Sequence, residues 1–286
     1  MKIAVTAASG QLGRAAVAAL LELNDGNEVI GLARSPEKAA DLGIDVRAGD
    51  YDAPDQLRAA LDGVDAVLLV SGMAPPAERE AQHRNVITSA KEAGVRKIVF
   101  TSVQGSVEGV SGAMVASMLQ TEADIKESGL DWAIGRNGLY IEPDVEYIDT
   151  YAKAGEITNC AGDGRCAYTT RGELGAAYAR LLTDDALKGG TYNLSGVPIS
   201  QAELASYLGS AFGVELSFRD VAVDDYIAER SNELGPFMGK IIAGIYSGIR
   251  DGVMDNPSDF AAVTGRLHQS WEAYFQVLSD ARRSGA

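Results

Sequence analysis

Short apolar runs alternate with longer segments of helical periodicity over about the first 135 residues. The predicted strands cover residues 2–6, 28–33, 45–48, 66–70, 97–101 and 131–135. The run 66–70 is apolar almost throughout, which is typical of a central parallel strand that is buried on both faces. Strands that alternate with helices predict an α/β fold, namely a Rossmann-type doubly wound parallel sheet with right-handed crossovers.

The segments between these strands carry helix signals. Helices are predicted over residues 11–21, 54–61, 77–93 and 114–127. Another helix is predicted after Arg34, because Ser35 can act as its N-cap and Pro36 can occupy its first position.

The pattern changes beyond residue 140. Short strands are predicted at 156–158, 191–194 and 215–219, a capping box at Ser200 and Glu203, and mainly helix over 223–278 with a start signal at Asn256-Pro257. We therefore predict a Rossmann domain over 1–140 with parts of 160–195. A smaller α+β C-terminal lobe over 141–286 is interleaved with it and closes over the C-terminal edge of the sheet, where open α/β sheets bind ligands.

The charge balance narrows the possible partners. The 286 residues carry a formal net charge of −15, which argues against nucleic acid or an anionic membrane as the main partner. No run approaches the ~18 apolar residues that a membrane span needs, and no signal sequence is evident. The sequence thus predicts a cytoplasmic protein, monomer or homodimer, that acts on a small molecule.

Cysteine and histidine are scarce. Cys160 and Cys166 fit neither a CxxC nor a zinc pattern, and two structural thiols are favoured over a disulfide. With only His83 and His268 available, we expect no metal site.

The stretch 5–14 joins a strand to a helix through a tight turn, an arrangement that places backbone N–H groups and the positive end of a helix dipole against phosphates. Ala7 stands where a GxxGxxG motif would have its first glycine. If that position requires a positive φ, alanine costs on the order of 1 kcal/mol there.

The residue after the second strand indicates which dinucleotide binds. An NAD site would have an acidic residue about 20 positions past the glycine turn, to bind the ribose 2′-hydroxyl. This chain has Arg34, with Lys38 one helical turn later. A guanidinium can hold a 2′-phosphate, so the pattern favours NADP(H); the alternative is a surface arginine at a strand end.

Six stretches carry a family resemblance: 8–13 (ASGQLG), 33–39 (ARSPEKA), 49–51 (GDY), 82–87 (QHRNVI), 101–102 (TS) and 136–140 (RNGLY). The segments 161–165, 170–171 and 264–266 extend it into the second half. In this order they resemble the atypical, NmrA-like short-chain dehydrogenase/reductases, and among these the bacterial type 2 NAD(P)H:quinone oxidoreductases and triphenylmethane reductase. The resemblance covers nearly the whole chain and does not specify the substrate.

The resemblance implies a set of cofactor-binding residues. The implied pyrophosphate turn comprises Ala7, Ala8, Ser9, Gly10, Gln11 and Leu12; the implied 2′-phosphate site is Arg34 with Lys38; the implied ribose and nicotinamide contacts are Ser71, Gly72, Thr101, Asn137, Gly138, Leu139, Tyr140, Glu142 and Arg171.

The usual catalytic pair of short-chain dehydrogenases is missing, because none of the eleven tyrosines has a lysine four positions later. Hydride transfer to a quinone or a conjugated or aromatic ketone needs position and desolvation more than a dedicated acid, and therefore fits this absence. The candidate substrate-facing residues are Ser102, Gln104, Asn137 and Tyr140, although Tyr140 can instead pack against the nicotinamide or the lobe. Glu122 is interpreted as structural.

Two functions remain open at this point. The first is an NADPH-dependent reductase of a quinone or related ketone, which the family resemblance favours. The alternative is an NADP(H)-binding redox sensor without turnover, which Ala7 and the missing Tyr/Lys pair favour. Met114, Met118, Phe237 and Met238 can line an apolar pocket, but their helical spacing is more typical of core.

Overall fold

The computed structural model describes residues 1–105, 108 and 112–284. Its strands are β1 Lys2–Val5, β2 Glu28–Ala33, β3 Asp45–Ala48, β4 Ala66–Leu69, β5 Lys97–Val103, β6 Asp131–Asn137, β7 Leu139–Tyr140, β8 Glu156–Asn159, β9 Arg165–Cys166, β10 Tyr168–Thr169, β11 Thr191–Leu194, β12 Ile199–Ser200 and β13 Ser217–Asp220. Its α-helices are α1 Gln11–Leu23, α2 Pro54–Ala60, α3 Pro76–Glu92, α4 Gly112–Glu127, α5 Glu142–Glu146, α6 Ile148–Ala154, α7 Arg171–Thr183, α8 Gln201–Phe212, α9 Val223–Leu234, α10 Pro236–Arg250, α11 Phe260–Thr264 and α12 Trp271–Arg283.

Seven parallel strands form the main sheet, in the order β11-β6-β5-β4-β1-β2-β3. β1 pairs with β2 on one side and with β4 on the other, so the strand order reverses beside it. A ligand crevice is expected outside the carboxyl ends of the strands at such a reversal. The predicted Rossmann-type doubly wound sheet is confirmed.

The side chains of successive strand residues pack alternately into two separate hydrophobic cores, one on each face of the sheet. Ile3 and Val5 of β1 pack with α1 and α7, whereas Ala4 between them packs with α2 and α3. This period-two division explains why the central strand β4 is apolar at every position, since helices cover both faces of the sheet.

The second half adds a separate cluster in which three two-stranded ladders pair β7 with β10, β8 with β13 and β9 with β12. α8, α10 and α12 pack on these ladders around the buried rings of Tyr168 and Trp271. The predicted capping box is confirmed: Ser200 accepts from the backbone of Glu203, whose carboxylate accepts from the backbone of Ser200. α7 and β11 come later in the chain but pack with the main sheet. β11 extends that sheet at β6, and α7 shares the core that α1 forms on one face of it.

Several boundaries differ from the predictions. The segment after Ser35 is a 3₁₀ helix, Pro36–Leu42, and Ser35 makes no side-chain cap bond. β6 extends to Asn137, because pairing with β5 and β11 continues there. The helix after Asn256-Pro257 begins only at Phe260.

Both cysteines are free, buried thiols within the part of the chain that is described, as predicted. Of the helices among residues 1–105, 108 and 112–284, none combines the length and the hydrophobicity that crossing a membrane requires.

Gly175 is the point of closest approach between α7 and α1. A Cβ at Gly175 would lie 2.5 Å from the carbonyl oxygen of Ala15, which is backbone that cannot move cheaply. We expect Gly175→Ala to lower the free energy of unfolding by about 1–3 kcal/mol.

Gly172, one turn earlier in the same helix, is the matched control, because the nearest atom to its added Cβ would be 3.9 Å away. Gly172→Ala should be neutral or stabilising by up to about 1 kcal/mol. Urea denaturation of the two variants measures the difference, and equal stabilities would contradict the close contact.

Candidate functional site

The turn between β1 and α1 forms one end of the site. Ala7 adopts a left-handed conformation with φ of 47°, and its carbonyl oxygen accepts the N–H of Gly10 at 2.9 Å. A Cβ on Gly13 would lie 2.4 Å from that same oxygen, so glycine is required there. The positive φ expected for the first glycine of the motif is present, and alanine occupies it at a cost of about 1 kcal/mol.

α1 begins directly after this turn. Gly10 is its N-cap residue and has no side chain with which to cap the helix. The N–H groups of the first turn, together with the helix dipole, are therefore available to an anion. The side chains of Ala8 and Leu12 are buried in the core, so these two positions can contribute to a phosphate site only through backbone.

A groove of about 620 Å³ runs from the turn to the end of β4, and Ala7, Ser9, Gly10, Arg34, Lys38 and Gly72 contribute to its lining. Arg34 and Lys38 are exposed. Neither side chain forms a salt bridge with any residue of the described ranges. Two uncommitted cations beside a helix N-terminus match a nucleotide that carries an additional phosphate.

Arg14 holds the two sides of this groove together. Its Nε donates to the carbonyl of Ser9 at 3.2 Å, and one Nη donates to the carbonyl of Lys38 at 2.5 Å. The guanidinium also pairs with both carboxylate oxygens of Asp41. Arg14 thereby fixes the Lys38 segment relative to the turn. No local pattern in the sequence marks Arg14 for this role.

The loop after β4 is anchored by hydrogen bonds. Thr101 Oγ1 accepts the backbone N–H of Ser71 at 2.8 Å, and His83 Nε2 accepts that of Gly72 at 3.1 Å. Nδ1 of His83 therefore carries the proton and donates to Thr121. Burial, with the nearby charge of Arg79, lowers the pKa of His83 to about 3, so the ring remains neutral. Thr101 is fully buried and supports the loop from beneath the groove.

Ser102 is a correction to the predicted substrate-facing set. It is fully buried, and its hydroxyl donates to Glu122 at 2.7 Å. Arg136 binds both oxygens of the same carboxylate, at 2.8 and 2.7 Å. Burial opposes ionisation of Glu122, but the hydrogen bonds from Arg136 and Ser102 prevail and lower its pKa. Glu122 is thus a structural carboxylate, as interpreted from the sequence.

Asn137 is the centre of a polar network at the end of β6. Its Oδ1 accepts from the hydroxyl of Tyr178 at 2.5 Å, and its Nδ2 donates to the hydroxyl of Tyr140 at 3.1 Å. Burial raises the pKa of Tyr140. Arg171 lies over the Tyr140 ring, 5.4 Å from its centroid, and its backbone N–H donates to Glu142 at 2.6 Å.

A second cavity, of about 470 Å³, lies beyond Asn137 between the ends of β5 and β6 and one side of α10. Gln104, Asn137, Gly138 and Leu139 form its sheet side. Gln104 Oε1 accepts from Asn256 Nδ2 at 3.2 Å and ties the sheet edge to the second lobe. Of the four predicted substrate-facing residues, Gln104 and Asn137 line this cavity, and Tyr140 lies behind Asn137.

The opposite wall of this cavity was not predicted. It includes Gly244, Ile245 and Gly248 of α10, together with Val253 and Met254. Repeated glycines inside an otherwise apolar helix were the available signal, because glycine is unfavourable there unless space is needed. Among the four residues proposed for an apolar pocket, Met114 lines this cavity, Met118 is core, and Phe237 and Met238 are exposed.

Comparisons with known proteins agree with this geometry. A family model described as NAD(P)H-binding matches residues 7–185. Quinone oxidoreductase 2 of Escherichia coli is 33% identical over 230 residues, covering 79% of this chain and 80% of that protein. An NmrA-like family domain-containing oxidoreductase of Aspergillus flavus is 29% identical over 240 residues, covering 79% and 76%.

A solved structure of Citrobacter triphenylmethane reductase complexed with NADP(H) superimposes with a TM-score of 0.87 at 32% identity. The superposition covers 96% of this chain and 99% of that one. The NAD(P)H-binding family model matches more than half of this chain, and the matched range includes both the turn and the Arg34 groove. The chain therefore belongs to the NAD(P)H-binding, NmrA-like branch of the atypical short-chain dehydrogenase/reductases.

Proposed function

We propose that this chain is an NADPH-dependent reductase that transfers hydride to a quinone or to a related aromatic or conjugated ketone. The observation that carries the proposal is the 470 Å³ cavity beside Asn137, with α10 as its far wall. A flat aromatic acceptor fits a site of this size and mixed lining. The quinone and dye reductases among the relatives support the same substrate class.

The residues of the groove would bind the cofactor, whose chemistry when bound is hydride donation. The turn at Ser9 and Gly10 would hold the pyrophosphate, and Arg34 with Lys38 would hold the 2′-phosphate. The anchored Ser71–Gly72 loop would position the ribose and nicotinamide toward Asn137. Glu142 and Arg171, which bind each other, would frame that end of the groove.

Asn137 is the residue we assign to the acceptor oxygen. It lines the cavity, and Tyr178 and Tyr140 fix its amide from both sides. The amide would orient the oxygen for hydride transfer, and water would supply the proton. Tyr140 acts as a positioning residue for this amide, because burial makes its hydroxyl a weak acid.

The acceptor class can be tested directly. Purified protein with NADPH and a panel of quinones, aromatic ketones and triphenylmethane dyes should oxidise NADPH with at least one quinone or dye, followed as loss of absorbance. Micromolar NADP⁺ binding with no oxidation by any acceptor would instead indicate a redox sensor.

Arg34 should determine the choice between the two cofactors. A charged contact of this kind is worth about 1.5–3 kcal/mol, so Arg34→Ala is expected to weaken NADPH binding about 10- to 100-fold and to leave NADH binding nearly unchanged. Arg283→Ala, at an exposed arginine in the last helix, is the control. Titration calorimetry with both nucleotides gives the comparison, and equal losses would refute the assignment.

The site should be insensitive to pH near neutrality. Glu122 has a lowered pKa, His83 a pKa of about 3 and Tyr140 a raised one, so none of the three changes protonation between about pH 7 and pH 9. We expect kcat with a non-ionising quinone to vary less than about 2-fold over this range.

Tyr140→Phe tests the same assignment, because it removes the hydroxyl and keeps the ring beneath Arg171. The expected loss in kcat is less than about 10-fold. A loss of 100-fold or more, with a pH profile that changes in the variant, would identify Tyr140 as the proton donor and contradict the positioning role.

A further inference from the structure

Arg79 is a buried arginine that has no counter-ion among the described residues. It is 4% exposed, and the one side-chain hydrogen bond that it forms within the described ranges runs from Nη1 to the hydroxyl of Ser117 at 3.2 Å. Its Nε is buried and has no hydrogen-bond partner in the described structure. No carboxylate pairs with it among residues 1–105, 108 and 112–284, and positions 106, 107 and 109–111 hold no acidic residue.

The position of Arg79 in its helix adds to the free-energy cost of burying its charge. It is the fourth residue of α3, where the helix dipole favours an anion and disfavours a cation. Burial lowers the pKa of its guanidinium, and the neighbouring His83 ring is neutral and offers no charge compensation. A buried, unpaired guanidinium is costly unless something anionic binds to it.

A small cavity of about 160 Å³ is lined in part by Arg79. It is lined by residues from the beginnings of three helices: Pro76 and Arg79 of α3, Ala113 and Met114 of α4, and Phe237, Lys240 and Ile241 of α10. Neither α3 nor α10 has a side-chain N-cap, so N–H groups of their first turns are available. Residues from the beginnings of three helices, including two cations, therefore line one space whose other lining residues are apolar.

Lys240 is the second cation. It is exposed at the rim and forms no salt bridge within the part of the chain that is described. Arg79 and Lys240 are the only titratable groups among the described residues that line this cavity. In a chain with a net charge of −15, this local positive potential is the opposite of the general surface.

The small cavity adjoins the proposed substrate cavity, because Met114 lines both. We propose that it is a subsite for an anionic substituent of the acceptor, namely a carboxylate, sulfonate or phosphate attached to an aromatic or conjugated ring. Arg79 binds the anion from within, Lys240 binds it from the rim, and Phe237 and Ile241 cover its apolar attachment. This inference rests on the proposed reductase function.

The test compares one quinone with and without the anionic group, for example 1,4-naphthoquinone and 1,4-naphthoquinone-6-sulfonate. In Arg79→Gln we expect KM for the sulfonate to rise about 10- to 100-fold, with KM for the neutral quinone changed less than about 2-fold. Lys240→Gln, at an exposed position that does not threaten folding, should raise only the sulfonate KM, about 3- to 5-fold. Lys91→Gln, an exposed lysine at the far end of α3, is the control for net charge and should change neither KM.

Equal changes for both quinones, or no change in either variant, would overturn the subsite. Calorimetric titration of the NADP⁺-loaded protein with the sulfonated quinone provides a readout that needs no turnover. If the wild-type protein reduces no acceptor of the panel described above, the reductase proposal fails, and this titration still decides the subsite. Undiminished binding in Arg79→Gln and Lys240→Gln would then refute it, and competition by inorganic sulfate alone would reassign the cavity to a free anion.

Discussion

The short path from β1 into α1 is the constraint on which the rest of the nucleotide site depends. The carbonyl of Ala7 must approach Gly13 so closely that neither a side chain at Gly13 nor a relaxed φ at Ala7 is possible. Thr6 fixes the start of this path, because its hydroxyl donates to the carbonyl of Leu68 in β4 and accepts the N–H of Val70, one residue beyond β4. The helix N-terminus is consequently held at the sheet edge, where Arg14 links it to the next segment.

The charged side chains near this edge of the sheet fall into two groups, those that are paired and those that are not. The acidic side chains Glu122, Glu173 and Asp41 are paired with arginines and serve the architecture. The cations Arg34 and Lys38 line the nucleotide groove, and Arg79 and Lys240 line the small cavity; none of the four forms a salt bridge within the described residues. Asp50, Asp52 and Glu78 also line the groove, so the two pairs of cations are local features of an acidic protein. We expect anionic ligands to be recognised by these fixed positive charges, without a residue that titrates near neutrality.

The sequence predicted the sheet well: the run 66–70 is a continuous apolar segment of a central buried strand, and residues 28–33, 45–48 and 191–194 were predicted with the bounds that the structure has, although the last two are partly exposed edge strands with polar residues. It predicted the turn and Arg34 because local spacing defines them. The predictions from the sequence were wrong where contacts between distant residues decide the role of a side chain. In the sequence, Ser102 resembles a substrate-facing serine. In the structure, its hydroxyl donates to Glu122, twenty residues later in the chain, and is not available to a substrate. Arg79 has no local signature, and the repeated glycines of α10 indicate that space is needed without showing that the helix faces a cavity.

The late position of α7 and β11 has a consequence for how the chain folds. α7 covers the apolar face of α1, and β11 completes the sheet beside β6, yet the residues between β6 and α7 belong to the other cluster. During synthesis, α1 therefore remains without this helix partner until α7 emerges, which begins about 150 residues after α1 ends. The two lobes cannot mature one after the other, and we expect them to unfold as a single cooperative unit.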